Sequence, residues 1–119
     1  METSVQIFFE GMNESQSVRD TIKAQVAKLK QVLDRITACR VSVTGPSERH
    51  RSGGLYQVHI RLALPEGREV NVNRSPTADE RLSDLTFAIN DAFHRARRQL
   101  QDKVREMQGR TKTHAAPGS

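Results

Sequence analysis

The chain has a single cysteine, Cys39, so it can form neither an internal disulfide nor a paired-thiol metal site. Tryptophan is absent, and Phe8, Phe9, Tyr56, Phe87 and Phe93 are the only aromatic residues, which leaves little ring surface for stacking bases on an open sheet. No apolar run approaches the roughly 20 residues of a membrane-spanning helix. The N-terminus has neither the charged nor the apolar segment of a secretory leader, so a cytoplasmic protein is expected. Glycine-rich phosphate loops of the Gly-x-Gly-x-x-Gly or Gly-x-x-x-x-Gly-Lys types are missing too. The four histidines (His50, His59, His94, His114) are scattered, without the i, i+4 or cysteine partners of a metal site. Asp79, Glu80 and Asp84 cluster at the start of a helix, where acids complement the helix dipole. These absences point away from an enzyme, a metal, a cofactor or a small-molecule substrate.

What the sequence does have is positive charge in one place. Nineteen Lys and Arg stand against 14 Asp and Glu, a formal net charge of +5. Residues 95–112 hold seven cations (Arg95, Arg97, Arg98, Lys103, Arg105, Arg110, Lys112) and two acids (Asp102, Glu106), an excess of five that equals the net charge of the whole. Asp91 to Arg95 and Arg98 to Asp102 are i, i+4 pairs that would stabilise a merely solvated helix, yet the remaining imbalance calls for an anionic partner. A sequence pI near 10.0 agrees.

The apolar residues set the elements. Residues 5–9 alternate as a short strand with Val5, Ile7 and Phe9 on one face, closed by Gly11. Ser15 is placed to cap a helix whose stripe is Val18, Ile22, Val26, Leu29, Leu33 and Ile36. Val41 and Val43 mark a second strand, stopped by Gly45-Pro46, and residues 47–54 read as a polar, basic hairpin tip. Residues 55–64 form the best strand, with Tyr56, Val58, Ile60, Leu62 and Leu64 inward and Gln57, His59 and Arg61 outward. Pro65-Glu66-Gly67-Arg68 is a turn, and Val70 and Val72 lie on a fourth strand. The last helix spans about residues 79–108, with Leu82, Leu85, Ile89, Phe93, Ala96, Leu100, Val104 and Met107 as its stripe.

The order β-α-β-β-β-α, with one apolar sheet face, implies an α+β two-layer sandwich in which both helices pack on one face of a four-stranded sheet. Residues 1–108 are expected to form this domain, and 109–119 a disordered basic tail or linker. Each helix then presents cations beside its core stripe. Arg19, Lys23 and Lys30 edge one flank of the first helix and Lys28 and Arg35 the other, while His94, Arg98 and Arg105 cluster within about 40° on the last. Joined, these flanks would make one continuous binding surface. Scarce aromatics favour backbone and shape recognition of structured RNA. Membrane binding is disfavoured, because the apolar stripe of the cationic helix is needed in the core. A protein-interaction module is the alternative from another class, self-associating weakly through the wet sheet face or the edge of the fourth strand, and a general double-stranded RNA binder is a third.

The segments Val5-Gln-Ile-Phe-Phe-Glu-Gly, Ser17-Val-Arg-Asp, Ala27-Lys-Leu-Lys, Cys39-Arg-Val-Ser-Val, Leu55-Tyr-Gln-Val-His-Ile, Ala88-Ile-Asn-Asp-Ala-Phe and Arg95-Ala-Arg-Arg-Gln-Leu resemble the ribosome hibernation promoting factors. These are also called ribosome-associated inhibitors or sigma-54 modulation proteins, and the likeness runs over residues 5–108. The resemblance implies binding to 16S rRNA of the small ribosomal subunit in the mRNA and tRNA channel, silencing bacterial ribosomes in stress and stationary phase. It also implies that Lys28, Arg95 and Arg98 stand where members carry rRNA-contacting cations. The RNA-binding set expected from the residues and the resemblance together is Lys23, Lys28, Lys30, His94, Arg95, Arg98 and Arg105. One departure is that many members have a His-Glu-Asp-x-Tyr run where this chain has Leu82-Ser-Asp-Leu-Thr, keeping only Asp84. The dimerisation domain of the long forms is not in this sequence, as expected of a short form or an N-terminal domain.

Overall fold

The computed structural model describes residues 3–45, 56–74 and 85–115. In chain order the elements are β1 (Ser4–Glu10), α1 (Gln16–Val32), β2 (Ala38–Thr44), β3 (Gln57–Ala63), β4 (Glu69–Arg74) and α2 (Leu85–Ala115). The four strands form one sheet in the order β1-β2-β3-β4. β1 runs parallel to β2, the crossover between them being α1, and the β2-β3 and β3-β4 pairs are antiparallel. Both helices lie on one face, as the single apolar side of the sheet requires.

The core is where that face meets α1 and α2. Cys39, Val41, Val43, Val58, Ile60, Leu62, Val70 and Val72 are buried on the sheet side, against Ile22, Val26 and Leu29 of α1 and Ile89, Phe93 and Leu100 of α2. Ala88, Ala92 and Ala96 are buried completely, so small side chains stand where α2 lies closest to its neighbours. β1 is the less buried edge: Val5, Ile7 and Phe9 are only half-buried.

Ser15 caps α1 as its sequence implies, with extended backbone and a hydroxyl that accepts from Val18 N–H at 3.3 Å. The helix ends earlier than its apolar stripe. Leu33 is the C-cap, with φ −148°, and Ile36 is buried from the link to β2 rather than from a helical turn. That link is tied to the sheet end, where Thr37 N–H donates to Ala63 O at 2.8 Å and Thr3 Oγ1–H donates to Ile36 O at 2.7 Å. Periodicity alone cannot separate a sixth stripe residue from a loop residue that reaches the same core. α2 runs on through Gly109 to Ala115, beyond the end its apolar pattern suggests. The hairpin tip at residues 47–54, Leu55, and the first residues of the last helix with Asp79, Glu80, Leu82 and Asp84 lie outside the described residues.

Two turns need particular backbones. Glu66 and Gly67 have φ of 64° and 72°, the successive positive values of a type I′ turn, so the left-handed position expected of Gly67 is shared with a glutamate. At the end of the β1-β2 pairing, Gly11 has φ 67° and Gly45 N–H donates to Glu10 O at 2.8 Å. A Cβ on Gly45 would sit 2.8 Å from Met12 Cβ and 2.9 Å from Gly11 O, so the chain passes where a side chain cannot. Gly45→Ala is expected to lower unfolding stability by about 1–3 kcal/mol, the range for overpacking, as read by urea titration.

Cys39, on the core side of β2, is 1% exposed, and burial pushes its thiol up from 9.0 to about 12. The folded state therefore holds its proton more tightly than the unfolded chain does. Stability from this group is complete below pH 9 and is lost as pH rises from about 9 to about 12. A Cys39→Ala variant should lose that part of the alkaline slope, and the native thiol should resist alkylation until the protein unfolds.

Candidate nucleic-acid interface

The helices meet through a side-chain bond near the surface: Gln25 Nε2 of α1 donates to Asn90 Oδ1 of α2 at 2.8 Å. This bond identifies the flanks that face each other. Beside it lies a cleft of about 190 Å³ lined by Gln25, Lys28, Leu29, Asn90, Phe93, His94 and Arg97. Leu29 and Phe93 belong to the core and form its floor, while Lys28, His94 and Arg97 are exposed around the rim.

The structure divides the residues that the sequence grouped together. At about 100° per residue, Lys28 lies about 60° from Gln25 on α1, but Lys23 and Lys30 lie about 140–160° away. They occupy the flank turned from α2, where Arg19 pairs with Glu14 and lies 5.3 Å over the Phe9 ring of β1. The first helix therefore cannot bring both of its basic flanks into one surface with α2, as the sequence alone suggested. Its core stripe lies between them. On α2, Arg97 and His94 lie within about 40° of Asn90, Arg105 and Arg98 about 60–80° away, and Arg95 about 140° away on the far side.

Charge partners cut across this division, since Lys23 and Lys30 on the outer flank also have no ion-pair partner among the described residues. Arg95 is held by Asp91 at 3.2 Å, Arg105 by Asp102 at 2.6 Å and Lys103 by Glu106 at 3.8 Å. Among the described residues Lys28, Arg97 and Arg98 have no ion-pair partner. Two of these cations, Lys28 and Arg97, line the cleft between the helices, and the Arg97 guanidinium can grip phosphate through paired N–H donors, while Arg98 stands on the outward face of α2. Arg97 was not in the sequence-derived set. It stands next to the α2 stripe, but its importance depends on which flank of α2 meets α1, and no periodicity reveals that.

The seam offers fixed positive charge and hydrogen-bond donors, a surface for polyanions. Among the described residues no group of three or more His, Cys, Asp or Glu could hold a metal ion, and no helix is long and apolar enough to cross a membrane. The structure is thus an α+β sandwich with a cation-rimmed cleft between its two helices. The chain belongs to the family described as sigma 54 modulation protein / S30EA ribosomal protein, which it matches over residues 5–108. Two among the solved structures that share its fold match it over nearly the whole of their own length. One is the N-terminal domain of protein Y from Thermus thermophilus, 20% identical with a TM-score of 0.62, the match covering 86% of this chain and 98% of that one. The other is a ribosomal subunit interface protein from Coxiella burnetii, 16% identical with a TM-score of 0.66, covering 85% of this chain and 97% of that one. The comparison with curated proteins found no match.

Proposed function

We propose that this chain is a translation-silencing hibernation factor. It binds 16S rRNA of the small ribosomal subunit in the mRNA and tRNA channel, and it blocks initiation by occupying that space, with no chemistry. Family membership supports a ribosome-associated role, and hence the cytoplasm as its place of work. The observation that carries the finer reading is the seam, where Lys28 and Arg97 lack acidic partners among the described residues beside a cleft only about 190 Å³ in volume. Such a surface suits a phosphate backbone better than a small molecule. His94 and Arg105 extend it along α2. Arg95, Lys23 and Lys30, on the outer flanks, serve mainly as long-range attraction.

The test is co-sedimentation with purified small subunits over a salt series, paired with a reconstituted initiation assay. Each phosphate contact should contribute about −0.7 to −0.9 to the slope of log affinity against log salt, so a steep loss is expected along with inhibited initiation. Binding that ignores salt, or binding without inhibition, would remove the proposal.

A further inference from the structure

The sheet face turned away from the helices has its own arrangement. The strand register places Phe8, Ser42, His59 and Asn73 in one row across the sheet, and Gln6, Arg40, Arg61 and Asn71 in the next. Phe8 is 44% exposed, the one large apolar side chain so exposed among the described residues. The Arg40 guanidinium lies 5.7 Å from its ring centroid and donates from Nε and a terminal nitrogen to Gln6 Oε1 at 3.3 and 3.2 Å. Arg40 has no carboxylate partner among the described residues. Of the acids on this face, Glu69 accepts from Arg61 at 2.9 Å and from Asn71 at 2.9 Å, and Glu10 stands at the end of β1. Phe8 and His59 are two strand spacings apart, about 10 Å, with the small Ser42 between them. A low floor between two rings is the result.

From this we infer that the open sheet face binds an unpaired RNA base, stacked on Phe8 over Ser42, with Arg40 at its phosphate and the Gln6 amide, two residues along the same strand, beside the base edge. The inference rests on the reading that the partner is RNA. It asks for one stacked base only, which a sheet poor in aromatics can supply from the single exposed ring of Phe8. A lone exposed ring among amides, a serine and a guanidinium supplies the groups that single-stranded RNA uses. A protein partner would call for a broader apolar patch with several aromatic anchors.

The probe is a fluorescently labelled single-stranded hexaadenylate, titrated with the full chain and followed by anisotropy. Phe8→Ala is expected to weaken binding about tenfold, the usual range for one stacked base, and Arg40→Gln should weaken it as well. Phe8→Leu keeps apolar area but loses the ring and should behave like Phe8→Ala. Circular dichroism checks that all three remain folded. Co-sedimentation with small subunits should keep its salt slope in Phe8→Ala, because the seam is intact. Hexaadenylate binding unchanged by Phe8→Ala, or restored by Phe8→Leu, would overturn the inference. Self-association abolished by Phe8→Ala with no RNA binding would overturn it in favour of a second copy. If instead wild-type chain fails to bind small subunits while the hexaadenylate pattern holds, the ribosome reading fails and the stacking site stands.

Discussion

Lys28→Glu combined with Arg97→Glu is expected to lower affinity for small ribosomal subunits at least about 100-fold near physiological salt. Each lost charge-assisted contact is worth about 1.5–3 kcal/mol, and reversal adds repulsion. The salt slope should flatten by about two contacts. The control is Lys23→Glu with Lys30→Glu. Each pair of reversals removes four units of charge and takes the formal net charge from +5 to +1, so long-range attraction falls alike in both variants. Only the first pair lies along the seam. Equal losses in the two variants, measured by co-sedimentation at matched salt, would show that charge and not geometry governs docking.

Phe93→Ala should be the most damaging single substitution for stability, costing about 3–5 kcal/mol. Phe93 is the largest fully buried side chain, 2% exposed, and its ring lies under the cleft between α1 and α2. Its truncation leaves a cavity where the helices and sheet converge. Against the roughly 5–15 kcal/mol typical of a domain, such a loss removes a large share of the total. Urea unfolding should show a sharply lower midpoint with a similar slope, and Phe93→Leu should recover most of the difference. A loss below about 1 kcal/mol for Phe93→Ala would mean that the helix seam does not depend on this ring. In conditions where the variant stays folded, weaker subunit binding is also expected, because Lys28 and Arg97 are spaced by what lies beneath them.

Much of the architecture was legible because burial writes a period into the sequence. The alternation in Val58, Ile60 and Leu62 and the three-and-four spacing of Ile89, Phe93, Ala96 and Leu100 each correspond to one buried face. With one apolar sheet side, the two-layer arrangement followed. Ile36 misled because a loop residue can satisfy the same period as a helical one. Glu66 was unreadable for another reason: a turn that needs positive φ at two positions imposes it on whatever residue is there, and glutamate does not signal it.

The candidate site was legible in composition and not in geometry. The excess of cations in the last helix is a property of the sequence, but their value depends on partners and on orientation. Asp91 and Asp102 hold Arg95 and Arg105, which reduces their standing, and the Gln25 to Asn90 bond raises Arg97, which nothing in its helical spacing favours. A wheel drawn for one helix carries no information about which flank meets another. Phe8 was hidden similarly, since one ring in an alternating strand gains meaning only when its neighbours across the sheet are known.

The Gln25 to Asn90 bond has an entropic consequence. It spans two helices already seated on a common core, with Leu29 and Phe93 below, so the backbone positions of Lys28 and Arg97 are set before any partner arrives. Binding then need not order a loop or bring two segments together. The freedom given up on docking is confined to the side chains of the cations, about 0.5–1.5 kcal/mol for each one immobilised. A rigid pair of charges also discriminates: it favours phosphates whose spacing it already matches and leaves others only partly held. If RNA is its partner, as proposed, the seam is a gauge of backbone geometry, one that would prefer one folded RNA surface over another without reading a base.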